Sequence, residues 1–375
     1  MLNWIEINKN AYLNNVSVFR KLHPDSLFMA VIKSNAYGHG LKESAEILRG
    51  QADWFGVNSI AEALILRDFD QKTPILVMGM EDPLHYSLLK EKKSQGIRLV
   101  LSTKDSVEDL LKTSPETPFH IKVDTGMSRL GLHGRELEDL FQYLKNNPDL
   151  PWEGLMSHFA NVEDVTDQNF AQEQLRRFLE AKKLAMESAG NRNIISHIAA
   201  SAAAIILPES RMDMCRIGIS LYGFWPSRQT RISASSLYKN LPELMPVLSW
   251  KSRIVHLNQI PANSFVGYGC TERVFRDTLV AVIPAGYFEG YDRSLSSRSH
   301  ILVKGMRARI LGRVCMNMIM ADVSHIDGVK HGDEAVLIGR QNEEEISADE
   351  LADHARTINY EIVSRIQCDI PRKIV

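Results

Sequence analysis

Residues Leu27–Lys33 read LFMAVIK, a short apolar run that ends on a lysine. Runs of the same kind return at Trp54–Asn58 (WFGVN), Ile75–Gly79 (ILVMG), Ile97–Leu101 (IRLVL), Phe119–Asp124 (FHIKVD), Trp152–His158 (WEGLMSH), Ile194–Ala199 (IISHIA) and Met214–Gly218 (MCRIG). Near-continuous apolar runs without polar alternation indicate strands buried on both faces. The intervening stretches, such as Ser59–Asp68 (SIAEALILRD) and Gln168–Ser188, have helical patterning. Eight strand–helix units over about 200 residues predict an α/β fold, a (β/α)8 TIM-type barrel.

The pattern changes after Phe224. The polar stretch Pro226–Ser236 (PSRQTRISASS) reads as a linker. Strand-like runs without long helices follow: Leu248–Leu257, Phe265–Tyr268, Leu279–Ile283, His300–Val303, Ala308–Leu311, Ile319–Val323 and Ala335–Ile338. A late helix is expected at Ser347–Arg356, where Ser347 and Glu350 have capping-box spacing. The expected division is a barrel over 9–230 and a mostly β domain over 237–375.

The chain has 375 residues with 44 basic and 46 acidic side chains, a net charge of −2, which speaks against a nucleic-acid or polybasic membrane footprint. No run approaches the roughly 20 apolar residues that span a bilayer. Met1–Asn10 lacks the basic and apolar regions of a signal peptide. Cys215, Cys270, Cys315 and Cys368 stand far apart without a CxxC pair, so a cytoplasmic protein without disulfides or a zinc cage is expected.

In such barrels the chemistry sits at the C-terminal ends of the strands. Lys33, Lys122, Asp124, His158, His197 and Arg216 fall there, with Arg129 just beyond. Cations converging on one rim call for an anionic ligand, because unpaired buried charge is costly. Lys33 reads either as a snorkelling strand-end lysine or as a Schiff-base lysine holding pyridoxal phosphate. Gly218 and Ile219 offer backbone N–H groups where barrels often bind phosphate. Ser201 reads either as a plain helix cap or as a phosphate ligand.

VIKSNAYGHG (Val31–Gly40), KVDTGMSRLG (Lys122–Gly131), SHFAN (Ser157–Asn161), RIGISLYG (Arg216–Gly223), VGYG (Val266–Gly269), IPAGYFEGYDRSLS (Ile283–Ser296) and GRVCMN (Gly312–Asn317) together resemble the motifs of bacterial alanine racemases, in the same order and over nearly the whole chain. The resemblance implies a pyridoxal 5'-phosphate enzyme that interconverts L- and D-alanine for peptidoglycan. It implies a homodimer whose active site is shared between subunits, with the first strand (Leu2–Asn8) packing against the C-terminal domain. Lys33 would carry the cofactor and serve the D-side proton, and Tyr268 the L-side proton. Tyr37, Ser201, Gly218, Ile219 and Tyr360 would hold the phosphate, and Tyr360 and Tyr287 would narrow the entrance. Arg216 would face the ring nitrogen and disfavour transamination, since an arginine stays protonated. His197 and Arg216 would stabilise the phenolate of Tyr268, with His158 near the cofactor ring. Arg129 would meet the cofactor and the substrate carboxylate, Met316 would line the substrate pocket from the other subunit, and Lys122 matches a lysine that is carbamylated.

Two positions depart from the family's pattern: Ala200, usually Asn, and Asn317, usually Asp. Losing the negative charge at 317 would broaden the substrate range, for example towards serine. The alternatives are a broader-specificity racemase, a basic amino-acid decarboxylase, a non-catalytic barrel that binds pyridoxal phosphate, and a metal-dependent hydrolase using His158, His197 and Asp124. No metal is expected.

Overall fold

The computed structural model describes residues 1–375 apart from 92, 93 and 191. Two compact units partition the chain. One comprises Asn10–Ser34 and Ser44–Met245; the other comprises Met1–Lys9, Asn35–Glu43 and Pro246–Val375 and begins with strand β1 (Asn3–Ile7).

In the first unit the eight anticipated runs form β2 (Leu27–Val31), β3 (Trp54–Val57), β4 (Ile75–Val77), β5 (Ile97–Leu101), β6 (Phe119–Lys122), β7 (Trp152–Met156), β8 (Ile195–His197) and β9 (Met214–Ile217). Neighbours pair in parallel from β2 to β8, and β9 pairs with β2. A single bridge, Ala200 to Arg216, and the Arg216 N–H donating to the Ala199 carbonyl at 3.1 Å nearly close the ring. Helices alternate with the strands, each burying one apolar stripe; Asn169–Ala189, for instance, buries Leu175, Phe178, Ala181 and Ala185. The connection after β4 is a 3₁₀ segment, Pro83–Lys90, started by Pro83 and capped by Asp82.

The segment expected to be a linker is helical. Ser227 accepts from the Thr230 N–H and starts the helix Arg228–Leu237, which buries Thr230 and Ala234. Its polar composition describes a solvated helix face rather than a free connection. The barrel unit extends to Met245, not 230, because Asn15 brackets the following stretch: its Nδ2 donates to the Met245 carbonyl and its Oδ1 accepts the Met245 N–H.

The second unit holds β10 (Leu248–Arg253), β11 (His256–Ile260), β12 (Phe265–Val266), β13 (Glu272–Arg273), β14 (Thr278–Ile283), β15 (His300–Val303), β16 (Met306–Ile310), β17 (Ile319–Asp322), β18 (Glu334–Gln341), β19 (Glu344–Ile346) and β20 (Arg372–Ile374). Its main sheet runs β11-β14-β17-β16-β15-β18-β10-β1-β20. β1 lies antiparallel to β10 and parallel to β20. The run Leu248–Leu257 is two strands, because the chain changes partners: β10 pairs with β18 and β11 with β14. Ser347 caps the helix Ala348–Ala355, and a short helix, Asn359–Ser364, carries Tyr360.

Ser34, Asn35, Ala36 and Tyr37 all have positive φ, between 52° and 55°, forming one left-handed turn immediately after Lys33. L-residues adopt this conformation at a cost of roughly 1–2 kcal/mol each. Contacts within the second unit hold Asn35–Gly40 in place. The His39 Nδ1 contacts the carbonyls of Ala36 and Tyr37 at 3.1 Å, the Asn35 Oδ1 accepts the Leu41 N–H at 2.8 Å, and Arg372 donates to the Gly38 carbonyl at 2.9 Å. Gly38 (φ 84°) is obligatory, since a Cβ there would lie 1.9 Å from the Val363 carbonyl oxygen. No helix among the described residues is long and apolar enough to cross a membrane.

Candidate active site

The C-terminal ends of the barrel strands carry Lys33, Lys122, Arg129, His158, His197, Ser201, Arg216, Gly218 and Ile219. Lys33 follows β2 by two residues and opens the left-handed turn. Glu62 steadies the adjoining backbone, accepting the Ser34 N–H at 2.6 Å and the Asn58 N–H at 2.8 Å. Burial, then the charges of Arg129 and Arg216, lower the pKa of Lys33, with Glu62 opposing.

Arg216 is fully enclosed in β9. Nη1 donates to His197 Nδ1 at 2.9 Å, and Nη2 donates to His158 Nδ1 at 3.0 Å and to the carbonyls of Ser157 and Ile198 at 2.8 and 3.0 Å. Burial lowers its pKa to about 10, which leaves it a cation at neutral pH. No hydrogen bond among the described residues uses Nε. Arginine has only donors, so both imidazoles must accept through Nδ1 and keep their protons on Nε2. Burial, followed by the Arg216 charge, holds both histidines well below the usual imidazole range, so both are neutral.

The two histidines therefore divide the work differently from the sequence expectation. Both ring nitrogens of His197 are engaged, Nδ1 by Arg216 and Nε2 by His120 at 2.8 Å, so His197 has none left for the Tyr268 phenol. The Nε2–H of His158 is the donor that remains.

Lys122 ends β6 and is buried. Burial, then Arg216, Arg129 and Lys33, lower its pKa to about 8, with Asp124 opposing. Asp124 holds the next turn: its Oδ1 accepts from the N–H groups of Gly126, Met127 and Ser128. Arg129 projects from this loop, exposed, and Lys122, Asp124, Arg129, Ser157 and His158 line one recess.

Ser201 is not a cap. The cap position is Ala200, which has no side-chain bond, and the Ser201 Oγ instead gathers the N–H groups of Gly218 (3.0 Å) and Ser220 (3.5 Å). The hydroxyl of the fully buried Ser220 has no partner among the described residues. Both amides are thus engaged by Ser201, and the Ser220 hydroxyl is the buried polar group left unspent beside them.

In the second unit, the Tyr37 and Tyr360 rings lie 6.2 Å apart. Tyr268 stands on a 3₁₀ turn between Gly267 and Gly269, which have φ 75° and 74°; it is 69% exposed in the single chain. Met316, Tyr287 and Phe288 are also exposed, and the N–H groups of Tyr287 and Phe288 donate to the carbonyls of Cys315 and Met316. Asn317 donates to Glu289 Oε1 at 2.8 Å, while Glu289 Oε2 accepts the Gly286 N–H at 2.8 Å. The charge absent at 317 is thus present next door, which weakens the expectation of a broadened substrate range.

Residues 7–226 match the family model for the alanine racemase N-terminal domain, and residues 247–374 match that for the C-terminal domain. This chain belongs to the alanine racemase family. An alanine racemase of Leptospira interrogans (strain Fiocruz L1-130) is 44% identical over 99% of this chain and 95% of its own length; alanine racemase 1 of Caldanaerobacter subterraneus is 36% identical over 98% and 93%. The crystal structure of the Bacillus anthracis alanine racemase with bound L-Ala-P superposes with a TM-score of 0.90 at 31% identity, covering 100% of this chain and 95% of that one. That racemase fold is the barrel followed by a β domain described above. Glu62, His120, Ser157 and Ser220, which contact or adjoin the expected site residues, were not singled out from the sequence. The spacing of His120 and Lys122, two apart on one strand and so on one face, was the available signal for His120.

Proposed function

We propose that this chain is an isomerase that racemises alanine with pyridoxal 5'-phosphate. The observation that carries the proposal is Arg216: a buried cation with only neutral imidazoles and carbonyls around it, Nε unspent, on the same barrel rim as Lys33. The donor set fits the cofactor: Ser201, Gly218, Ile219 and the unspent Ser220 hydroxyl suit a phosphate, to which the resemblance adds Tyr37 and Tyr360; Arg216 suits a ring nitrogen acceptor; and a desolvated Lys33 suits an aldehyde. When bound, the cofactor supplies an electron sink for the carbanion at the substrate Cα.

Racemisation needs proton carriers on two faces of Cα. Lys33, its cation disfavoured by burial, takes or returns the proton on the D side. Tyr268 of a second copy takes or returns it on the L side, and the His158 Nε2–H donates to its phenolate oxygen. Arg129 receives the substrate carboxylate, with Met316 of a second copy beside it. An arginine at the ring nitrogen, in place of a carboxylate, disfavours protonation there and hence transamination. The amine of Lys122, with a pKa of about 8, takes up CO₂ and releases a proton to give a carbamate, which turns a cation into an anion that orients Arg129.

Tyr287, Phe288, Met316 and Met318 are exposed on segments joined by backbone hydrogen bonds at Cys315 and Met316, and such apolar exposure supports a homodimer. Four free cysteines accord with a cytoplasmic enzyme that supplies D-alanine for peptidoglycan. The metal-hydrolase alternative is disfavoured, since both nitrogens of His197 are engaged and no group of three or more potential metal ligands is found among the described residues. The test is a stereochemical assay of the purified protein with added cofactor, over L-alanine, L-serine and other L-amino acids, with borohydride reduction to locate the cofactor. D-alanine production and a reduced adduct at Lys33 are expected. No racemisation of any amino acid, or an adduct elsewhere, overturns the reading.

A further inference from the structure

A polar column runs through the barrel interior from the rim towards the N-terminal ends of the strands. It begins at Arg216, whose Nη1–H donates to His197, and the His197 Nε2–H donates to His120 Nδ1 at 2.8 Å. His120 therefore keeps its own proton on Nε2, and that buried N–H has no hydrogen-bond partner within range. It faces Glu153 Oε2 at 3.7 Å. Arg98 holds the same carboxylate through Nε at 2.8 Å and Nη2 at 3.2 Å. Because the first member can only donate, every proton in the column has one allowed position.

Two backbone features serve this column. The β6–β7 register slips between Phe119 and His120, so that Phe119 pairs with Trp152 and His120 with Gly154; Glu153 is the unpaired extra residue of a bulge. Bulges re-aim a side chain, here the carboxylate towards His120. Gly154 then leaves room for the ring, because a Cβ there would lie 2.4 Å from His120 Nδ1. Barrel interiors are ordinarily filled with branched apolar side chains, so two imidazoles and a carboxylate need a reason.

We propose that Glu153, acting through His120 and His197, is a positioning residue for Arg216: its negative charge terminates the one-way column, strengthens His197 as an acceptor and so fixes the guanidinium that turns its Nε to the cofactor ring. The role rests on the cofactor reading above. Neutral members polarise along such a chain, and an anion at its end strengthens each link. Outer partners of this kind typically change affinity or activity 10–100-fold when removed from metal ligands, and an effect of about tenfold is expected here.

The test compares holoenzyme carrying Glu153→Gln, which keeps shape and acceptor but loses the charge, with Glu153→Asp, which keeps the charge. Imidazole ¹⁵N NMR reads the His120 and His197 nitrogens, and steady-state kinetics reads kcat and KM. Glu153→Gln is expected to move the His197 Nδ1 resonance and to lower kcat about tenfold with KM within twofold, and Glu153→Asp to recover part of both. Gly154→Ala, which expels the His120 ring without removing a polar atom, is expected to reproduce the Gln effect and carries the test if the Gln variant does not fold. Unmoved His197 signals in Glu153→Gln overturn the proposal, whether or not activity falls, because Glu153 then does not act through the column. If the unaltered protein fails to racemise, the cofactor reading fails while the NMR still judges the column.

Discussion

Arg216 Nη2 donates to His158 Nδ1 at 3.0 Å, and that contact places the imidazole proton on the opposite nitrogen. On the proposed reading, this neutral imidazole would donate through Nε2 to the Tyr268 oxygen of a second copy. His158→Leu removes it. A hydrogen bond to a charged group is worth about 1.5–3 kcal/mol, so a fall in kcat of at least about tenfold is expected. Steady-state kinetics with L-alanine check this, and an unchanged kcat would contradict the donor role.

Tyr268→Phe should separate the two proton carriers. The equilibrium between enantiomers fixes the ratio of forward to reverse kcat/KM, so racemisation rates alone cannot reveal which side is lost. Exchange of the Cα proton with solvent deuterium can. Exchange into D-alanine should persist through Lys33 while exchange into L-alanine drops by orders of magnitude, as followed by proton NMR. Equal loss on both sides would refute the two-base assignment.

Lys122 offers a pH and CO₂ dependence. Its amine is mostly cationic below about pH 8 and neutral above it, and only the neutral form adds CO₂. Carbamate occupancy in ¹³C-bicarbonate should therefore rise as pH passes upward through about 8, read as a carbonyl ¹³C signal that is absent in Lys122→Ala. The same lowered pKa makes the buried cation unfavourable, so its penalty on folding is greatest below about pH 8 and fades as pH rises towards the unfolded value near 10.4. A signal unchanged from pH 6 to 9 would dispose of the carbamate.

Asn317→Asp would set a carboxylate against Glu289, where an amide now donates at 2.8 Å. Like charges at such range repel, and the turn that bears Met316 should loosen. The expected outcome is a several-fold change in the ratio of kcat/KM for L-alanine to that for L-serine. An identical ratio in both forms would show that position 317 does not shape the pocket.

The barrel strands were legible because burial on both faces leaves unbroken apolar runs such as IRLVL at Ile97–Leu101, which is a strand end to end. The late helix announced itself through Ser347 and Glu350. Pro226–Ser236 misled because a solvated helix and a linker share a composition; the cap at Ser227 was the overlooked sign. The polar residues expected at the strand ends do stand there, Lys33 just after β2, Lys122 at the end of β6 and Arg216 in β9. What stayed hidden depends on geometry that letters do not carry: the bulge that aims Glu153, the direction of the bonds from Arg216 that reassigns the histidines, and the turn at Ser34–Tyr37, which contains no glycine.

That turn bends the main chain with the handedness natural to mirror-image amino acids, in a segment made only of ordinary ones. Four such residues forgo about 4–8 kcal/mol, so the loop cannot keep its shape by itself. Its moorings are distant in sequence: Arg372 stands 334 residues from Gly38, and the Val363 carbonyl lies against the same glycine. Replacing Arg372 would leave every strand of the barrel in place and still loosen the loop that follows Lys33. The shape of the backbone beside Lys33 is therefore held by residues more than 300 positions further along the chain.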